Sequence, residues 1–411
     1  MTSEMRPEIT PVCAHPGTDE IKARRRALRD KMAGMDLDVY VCVCPDNIFY
    51  LTNFANFVHE RPFILMVPVK GAPVFLMPKL EEPHVRTRAV GDLEYLHYFE
   101  FPAPEGRQWS DRLRQAISET DNVGIETLCP MAVARAIPGQ VRELDLVDEL
   151  RMIKSEYEIG RIAYASDLVS RAHAMLLKGA RPGRMIVELH SKATAAVTKR
   201  LLLDNPNANL LNTKFAAIAQ PPELSHDPHN FTDVFMKFAR GGPHVSIASG
   251  TANGYGAEVE RTFFLNRVPE SAKQPFEDML AARALAFELT VPGNSMSEVD
   301  RRVNEFLTSK GYGPNLLHRT GHSFGVTNHE APFLAEGYEH TIRPDMVFSI
   351  EPGFYIPGTG GFRFSDTVLV TETGNITLTE APETLEALTL SARPSPVDPV
   401  KALVMKMLTR G

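Results

Sequence analysis

The alternation of apolar and polar positions divides the chain into short strands and amphipathic helices. Apolar runs rich in β-branched and aromatic residues, bounded by proline, glycine or charged residues, predict strands at 38–44, 63–69, 72–77, 93–99 and 122–126. Apolar residues recur at helical spacing over 19–35, 80–90 and 108–119. Such alternation predicts an α/β domain with a covered sheet.

A different pattern begins near residue 150. Long helical patterns start at residue 156 and span 185–204, 271–289 and 297–310, whereas a strand pair at 244–265 and a terminal set at 316–378 read as β structure. Because 411 residues exceed the usual size of one hydrophobic core, we expect two domains.

The composition and net charge of the chain limit the classes of binding partner that we expect. The chain is 43% hydrophobic and 23% charged, as expected of a globular protein, and its net charge of -7 argues against nucleic acid. A basic run at 22–26 falls on the first predicted helix, where we interpret it as a solvated face. No segment reaches the roughly 18 apolar residues of a membrane span, so we expect no membrane association and a cytoplasmic location.

Several motifs identify a family resemblance. They read A-S-G-T-A-N-G-Y-G-A-E-V-E-R-T-F (248–263), G-H-S-F-G (321–325), S-I-E-P (349–352), R-F-S-D-T-V (363–368) and, earlier, D-N-I-F-Y-L-T-N-F (46–54). Together they resemble the superfamily of methionine aminopeptidase, prolidase, aminopeptidase P and creatinase. This resemblance implies an N-terminal creatinase-like α/β domain over 1–153, an α+β catalytic domain of the pita-bread fold over 154–390, and a tail of unknown role over 391–411.

The resemblance also implies where metal ligands would lie. The five family positions fall on Ala248 (or Ile247 if the loop length is kept), Glu258, His322, Glu351 and Ser365. A pair of ions needs about five or six oxygen or imidazole ligands, and this chain offers three. One ion at most is conceivable, so we expect no catalytic metal pair and no cofactor.

Within the superfamily, creatinase is the member that dispenses with metal, and Glu260 in E-R-T resembles its sequence. Glu258 and Glu260 lie two apart on a predicted strand and therefore project from one face. With Glu351 they would form a carboxylate clamp for a cationic amidine or guanidine group.

The same resemblance assigns the remaining roles. His229 would be the catalytic acid/base, with His226 as the alternative, and His322 would support the intermediate. Arg61, in R-P, would bind a substrate carboxylate across a homodimer. His329, in H-E-A-P, matches a substrate-contacting residue of the peptidases.

Three functions are compatible with these residues. The first is a metal-independent, creatinase-like or ectoine hydrolase-like enzyme that cleaves a non-peptide C–N bond of a small molecule. The second is a metal-dependent Xaa-Pro dipeptidase, aminopeptidase or related lyase, which H-E-A-P favours. The third is a non-catalytic binding protein. Four retained ionisable residues, His229, Glu260, His322 and Glu351, argue against the third, and the first is our main hypothesis.

Overall fold

A computed structural model describes residues 9–56, 60–230 and 235–408. Residues 1–8 and 409–411, at the ends of the predicted first domain and tail, lie outside the described residues. Contacts divide the chain into two compact units, one of residues 14–152 and the other of residues 153 onward together with the segment before Ala14.

The N-terminal unit contains a six-stranded mixed sheet in the order β4-β3-β2-β1-β5-β6. Its strands are β1 (Val39–Cys42), β2 (Ile64–Pro68), β3 (Val74–Pro78), β4 (Glu94–Tyr98), β5 (Asn122–Ile125) and β6 (Gln140–Glu143). The three strands β1, β2 and β3 are antiparallel, whereas β4, β5 and β6 each pair parallel with their neighbour. The strands predicted from the sequence in this region all form, within two residues of their predicted ends.

The helices of this unit are α1 (Thr18–Ala33), α2 (Pro45–Thr52), α3 (Glu82–Arg88), α4 (Trp109–Ala116), α5 (Met131–Ala134) and α6 (Leu146–Arg151). The predicted solvated face at 22–26 is wrong for two of its residues. Arg24 and Arg25 are only 5% and 4% exposed. Their guanidinium groups donate to the carbonyl oxygens of Tyr50 and Leu51 at 2.9 Å, which satisfies the open end of α2.

The C-terminal unit is built on a nine-stranded sheet whose main path runs β11-β10-β12-β15-β9-β8-β7. The strands of this unit are β7 (Lys214–Gln220), β8 (Gly241–Ala252), β9 (Tyr255–Leu265), β10 (Gly321–Ser323), β11 (Glu330–Leu334), β12 (Val347–Ile350), β13 (Gly353–Ile356), β14 (Gly360–Arg363), β15 (Ser365–Val370), β16 (Asn375–Thr377) and β17 (Thr389–Leu390). Neighbours along the main path pair antiparallel. β13 and β14 form a separate hairpin.

The helices of the second unit are α7 (Glu156–Gly179), α8 (Ile186–Asp204), α9 (Glu270–Leu289), α10 (Met296–Ser309) and α11 (Val397–Leu408). A capping box at Ser155 and Glu158 starts α7, and this helix packs against β8 and β9. The predicted tail contains α11, which Asp398 anchors through two hydrogen bonds of 2.7 Å from Arg181. Among the described helices, none is long and apolar enough to cross a membrane.

The long hairpin of β8 and β9 presents two faces. It turns at Asn253-Gly254, both with positive φ, as an N-G turn requires. β9 is buried along its whole length, and its side chains alternate between the two faces of the sheet. Glu258 and Glu260 therefore share the face that lines a cavity, and Val259 and Arg261 project from the other face.

Asp366 ties the hairpin to the neighbouring strand. It is fully buried, as is Arg261 of the R-T-F motif, whose Nη2 donates to Asp366 Oδ1 at 2.8 Å. Arg283 of α9 donates twice to Asp366 Oδ2, at 2.9 and 2.7 Å. The R-T-F motif thus has a structural role in fixing β9 against β15.

Replacing Asp366 by asparagine should destabilise the second unit strongly. The substitution leaves two guanidinium groups without their buried counter-charge, and breaking such a pair costs about 3–5 kcal/mol. Urea unfolding followed by circular dichroism measures the loss. Asp167→Asn, which breaks an exposed pair with Arg171, is the matched control and should change the free energy of unfolding by less than about 1 kcal/mol. Equal effects of the two substitutions would contradict this role for Asp366.

Candidate active site

A cavity of about 890 Å³ opens on the polar face of the large sheet. β7, β8 and β9 form one wall, and the segments around residues 318 and 351 form the other. Its ionisable lining residues are His229, Glu258, Glu260, His318, Arg319, His329, Glu351 and Arg363. The cavity lies entirely within the C-terminal unit.

Three side chains converge on one point, and two of them, Glu258 and Glu351, line the cavity. Glu258 comes from β9, His322 from β10, and Glu351 directly follows β12. One ligand atom from each lies within 4.8 Å of the others. Two atoms that bind the same ion at about 2.0–2.2 Å are at most about 4.4 Å apart, so this cluster needs little movement to hold one divalent ion.

His322 is oriented as a ligand. It is 1% exposed, and its Nδ1 lies 3.1 Å from the Ser323 carbonyl oxygen, which can only accept. Nδ1 therefore carries the proton, and Nε2 presents its lone pair toward Glu351 Oε1 at 3.4 Å. Burial, with a smaller effect of His329 stacked on the ring, lowers the pKa of His322 to about 3. The imidazole is thus neutral, the form that binds metals.

The two carboxyl groups of the cluster resist ionisation in the absence of a cation. Burial, followed by the proximity of Glu258, raises the pKa of Glu351 to about 8. Burial also raises the pKa of Glu258, although Arg363 and a hydrogen bond of 3.1 Å from Ser365 oppose the rise. A bound cation would relieve this repulsion.

Glu260 differs in having a guanidinium beside it, although burial raises its pKa as well, with Arg363 opposing the rise. Arg363 Nη2 donates to Glu260 Oε1 at 2.8 Å, and Arg363 Nε lies 2.5 Å from Oε2. Arg363 Nη1 also donates to the Tyr355 hydroxyl at 3.1 Å, which in turn lies 2.8 Å from His318 Nε2. Glu260 is therefore part of a fixed polar network and is not an open clamp for a cationic substrate.

The structure distinguishes the two positions proposed for the lost first ligand. Ile247 lines the cavity, whereas Ala248 is fully buried on the opposite face of β8. Ser365 stands at the last ligand position, and its hydroxyl bonds Glu258 and Ser349. Neither Ile247 nor Ser365 supplies a strong ligand, so these residues do not fit a pair of ions; the cluster of Glu258, His322 and Glu351 fits one.

The remaining predicted residues are distributed as follows. His229 lines the mouth of the cavity and is exposed, whereas His226 is not among the lining residues. His329 lines the cavity and stacks on His322 with ring centroids 3.9 Å apart. Arg61 belongs to the N-terminal unit, where its Nε donates to Glu100 at 2.7 Å.

Sequence reasoning did not assign roles to His318, Arg319 and Arg363. All three line the cavity, and Arg319 lies over the ring of Phe333 at 4.3 Å. A signal was present, because His318 and Arg319 stand immediately before T-G-H and Arg363 opens R-F-S-D. Arg363 pairs with Glu260, 103 residues away in the sequence, and His318 pairs with Tyr355, 37 residues away, and no local pattern reveals either contact.

Comparison with known proteins agrees with this architecture. Residues 160–372 match metallopeptidase family M24, and residues 24–156 match the creatinase/prolidase N-terminal domain. The chain is 27% identical over 378 residues to the probable dipeptidase PepE of Mycobacterium tuberculosis, covering 90% of this chain and 98% of that protein. It is 28% identical over 276 residues to the Xaa-Pro dipeptidase of Pyrococcus furiosus, covering 66% and 77% of the two chains.

A solved structure shows the shared fold. The dipeptidase PepE from Mycobacterium ulcerans superposes with a TM-score of 0.76 at 21% identity, covering 92% of this chain and all of that chain. The predicted combination of an α/β N-terminal domain and a pita-bread catalytic domain is thereby confirmed.

The main functional hypothesis is wrong. Relatives that match along most of the chain are named dipeptidases, which act on peptide bonds, so a metal-independent hydrolase of a non-peptide C–N bond is not what these residues encode. The resemblance of Glu260 to creatinase is local in sequence, whereas the buried Arg363 that pairs with it lies 103 residues further along the chain. With the M24 match extending over more than half of its residues, the chain belongs to metallopeptidase family M24.

Proposed function

We propose that this protein is a dipeptidase-type hydrolase that cleaves the peptide bond of small peptides, with Xaa-Pro dipeptides as the first substrates to test. The observation that carries the proposal is the cluster of Glu258, His322 and Glu351, whose two carboxylates line a cavity of about 890 Å³. This volume falls within the range of about 300–1,000 Å³ typical of small-molecule sites. The dipeptidase names of relatives that match along most of the chain support it.

Glu258, His322 and Glu351 would hold a single divalent ion. When bound, such an ion polarises the scissile carbonyl group and activates the attacking water. His322 keeps its proton on Nδ1 through the Ser323 carbonyl, so its orientation is fixed before any ion arrives. Glu258, His322 and Glu351 would therefore be assembled as ligands before an ion binds.

Arg319 is suited to bind the carboxylate of a small peptide. Its guanidinium stacks on Phe333 at 4.3 Å, which holds the planar group at the wall of the cavity. No ion pair to Arg319 is present among residues 9–56, 60–230 and 235–408. A guanidinium fork matches a carboxylate through two parallel hydrogen bonds, and this pairing would select short peptides with a free C-terminus.

His229 is suited to move a proton at the mouth of the cavity. Its imidazole is exposed beside Pro228, whereas His318 and His322 are buried deeper. Histidine is the side chain that most readily exchanges a proton near neutral pH, so His229 would deliver a proton to the departing amine. His329, stacked on His322, would contact the substrate beside the ion ligands.

Two expectations from the sequence remain predictions. One is the homodimer, and the other is a role for Arg61 in the site of a partner subunit. Within the N-terminal unit, Arg61 pairs with Glu100, so such a role would require this pair to open or to present its remaining donors.

A substrate panel tests the proposed function directly. We expect the protein supplied with Mn²⁺ to cleave Leu-Pro or another dipeptide, and activity to disappear with a chelator and return with added ion. Ninhydrin or mass spectrometry detects the products. Creatine and ectoine serve as negative controls because their reacting groups are not peptide bonds. Failure to cleave any dipeptide or tripeptide in the presence of Mn²⁺, Co²⁺ or Zn²⁺ would overturn the proposal.

Replacing His229 by alanine should reduce kcat by roughly 10²–10⁴-fold, since a positioned acid/base contributes about this factor. The matched control is His226→Ala, three residues earlier and outside the cavity lining, which should remain within a few-fold of the wild type. Steady-state kinetics on the best dipeptide measures both. A greater loss in His226→Ala than in His229→Ala would exclude His229 from the proposed role.

Replacing Arg319 by glutamine should raise KM for dipeptides by roughly 10–100-fold with a smaller change in kcat, because it removes a contact made before and during the reaction. The control is the same dipeptide with an amidated C-terminus. Wild type and variant should treat the amide alike, since the carboxylate that Arg319 would bind is gone. An equal loss on both substrates would indicate a structural effect instead.

A further inference from the structure

We infer that this site binds a single divalent cation and that the Arg363–Glu260 ion pair occupies the position of a second one. The inference deepens the proposed function and rests on it for the use of the ion in peptide cleavage. The number of ions depends only on the charges and ligands around Glu258, Glu260 and Glu351.

The single-ion half of the site consists of Glu258, His322 and Glu351. His322 provides an observation independent of the carboxylates, because it is 1% exposed and its Nε2 has no hydrogen-bond partner within the described part of the chain. Nδ1 is already committed to the Ser323 carbonyl, which directs the Nε2 lone pair at the cluster. A buried, unsatisfied acceptor is costly unless something binds it, and a cation would satisfy both it and the carboxylates.

The other half of the site is closed to a second ion. In the sheet register Glu260 of β9 lies directly opposite Ile247 on β8 and opposite Ser365 on β15. These are the two neighbouring positions that lack a strong metal ligand. The side chain standing between them, Glu260, has both carboxylate oxygens facing Arg363, at 2.8 and 2.5 Å.

The balance of charge agrees with one ion. Arg363 neutralises Glu260, and these two side chains are 4% and 3% exposed, so the pair is screened little by solvent. When a cation binds, Glu258 and Glu351 would ionise and supply two negative charges beside a neutral imidazole. One divalent cation compensates them, whereas a second would meet the fixed guanidinium charge and an isoleucine side chain.

The test measures Mn²⁺ binding to the full-length protein by calorimetry and by metal analysis after equilibrium dialysis. The expected stoichiometry is one Mn²⁺ per chain. His322→Ala should lose the ion, and His190→Ala, a histidine outside the lining of this cavity, should retain it. Two Mn²⁺ per chain in the wild type, or no saturable binding, would overturn the inference.

Variants of the ion pair test its effect on the site. Glu260→Gln leaves the guanidinium unbalanced and should weaken Mn²⁺ binding by about tenfold or more, whereas Arg363→Gln frees a carboxylate and should strengthen it by a similar factor. The double variant Glu260→Gln/Arg363→Gln restores the charge balance and should bind nearly as the wild type does. Circular dichroism verifies that each variant folds. If Arg363→Gln fails to fold, the number of Mn²⁺ ions bound by the wild type still tests the inference.

Each alternative has a distinct result. Loss of Mn²⁺ in both Glu260→Gln and the double variant would make Glu260 a ligand and would contradict the inference. An unchanged affinity for Mn²⁺ in all three variants would show that the Arg363–Glu260 pair does not act on the ion, and this result would also contradict the inference. Since peptide cleavage is not measured in this experiment, the proposed function and the single-ion inference can fail separately.

Discussion

The need to compensate buried charge governs the arrangement of the C-terminal unit. Two guanidinium–carboxylate groupings lie close together on β9 and its neighbouring strands, Arg363 with Glu260 and Arg261 with Asp366. Removing a charged group from water is expensive unless a partner with good geometry replaces the solvent. These pairs therefore fix the strands in one register, which places Ser365 directly opposite Glu260 and within hydrogen-bond distance of Glu258.

The need to compensate buried charge also distinguishes charged groups that stabilise the fold from charged groups that can bind a cation. Arg261 donates to three backbone carbonyl oxygens as well as to Asp366, so all three of its guanidinium nitrogens serve the fold. Glu258 and Glu351, in contrast, have no guanidinium partner of this kind among the described residues, and burial keeps their pKa values high. Because these carboxyl groups do not ionise easily by themselves, a bound cation would stabilise their ionised forms strongly.

Similarity to known proteins must be combined with the identity of the residues at the individual ligand positions. Relatives named dipeptidases match most of the chain, yet Ile247 and Ser365 differ from the ligands that the family resemblance implies at these positions. Overall similarity thus establishes the family, whereas the individual side chains determine how many ligands the site offers to an ion. A pair of ions and a single ion beside a fixed guanidinium would both place positive charge next to the same carboxylates.

Much of the fold could be read from the sequence, because periodicity, capping residues and turns act locally. The strands of the first domain, the capping box at Ser155 and the N-G turn at Asn253 are of this kind. Alternation along β9 likewise determined that Glu258 and Glu260 share a face. Only the tertiary structure decided that Glu260 is neutralised by Arg363, that Ile247 instead of Ala248 faces the cavity, and that Arg319 lines its wall. These contacts join residues far apart in the chain, and the free energy of a buried charge depends on what surrounds it in space.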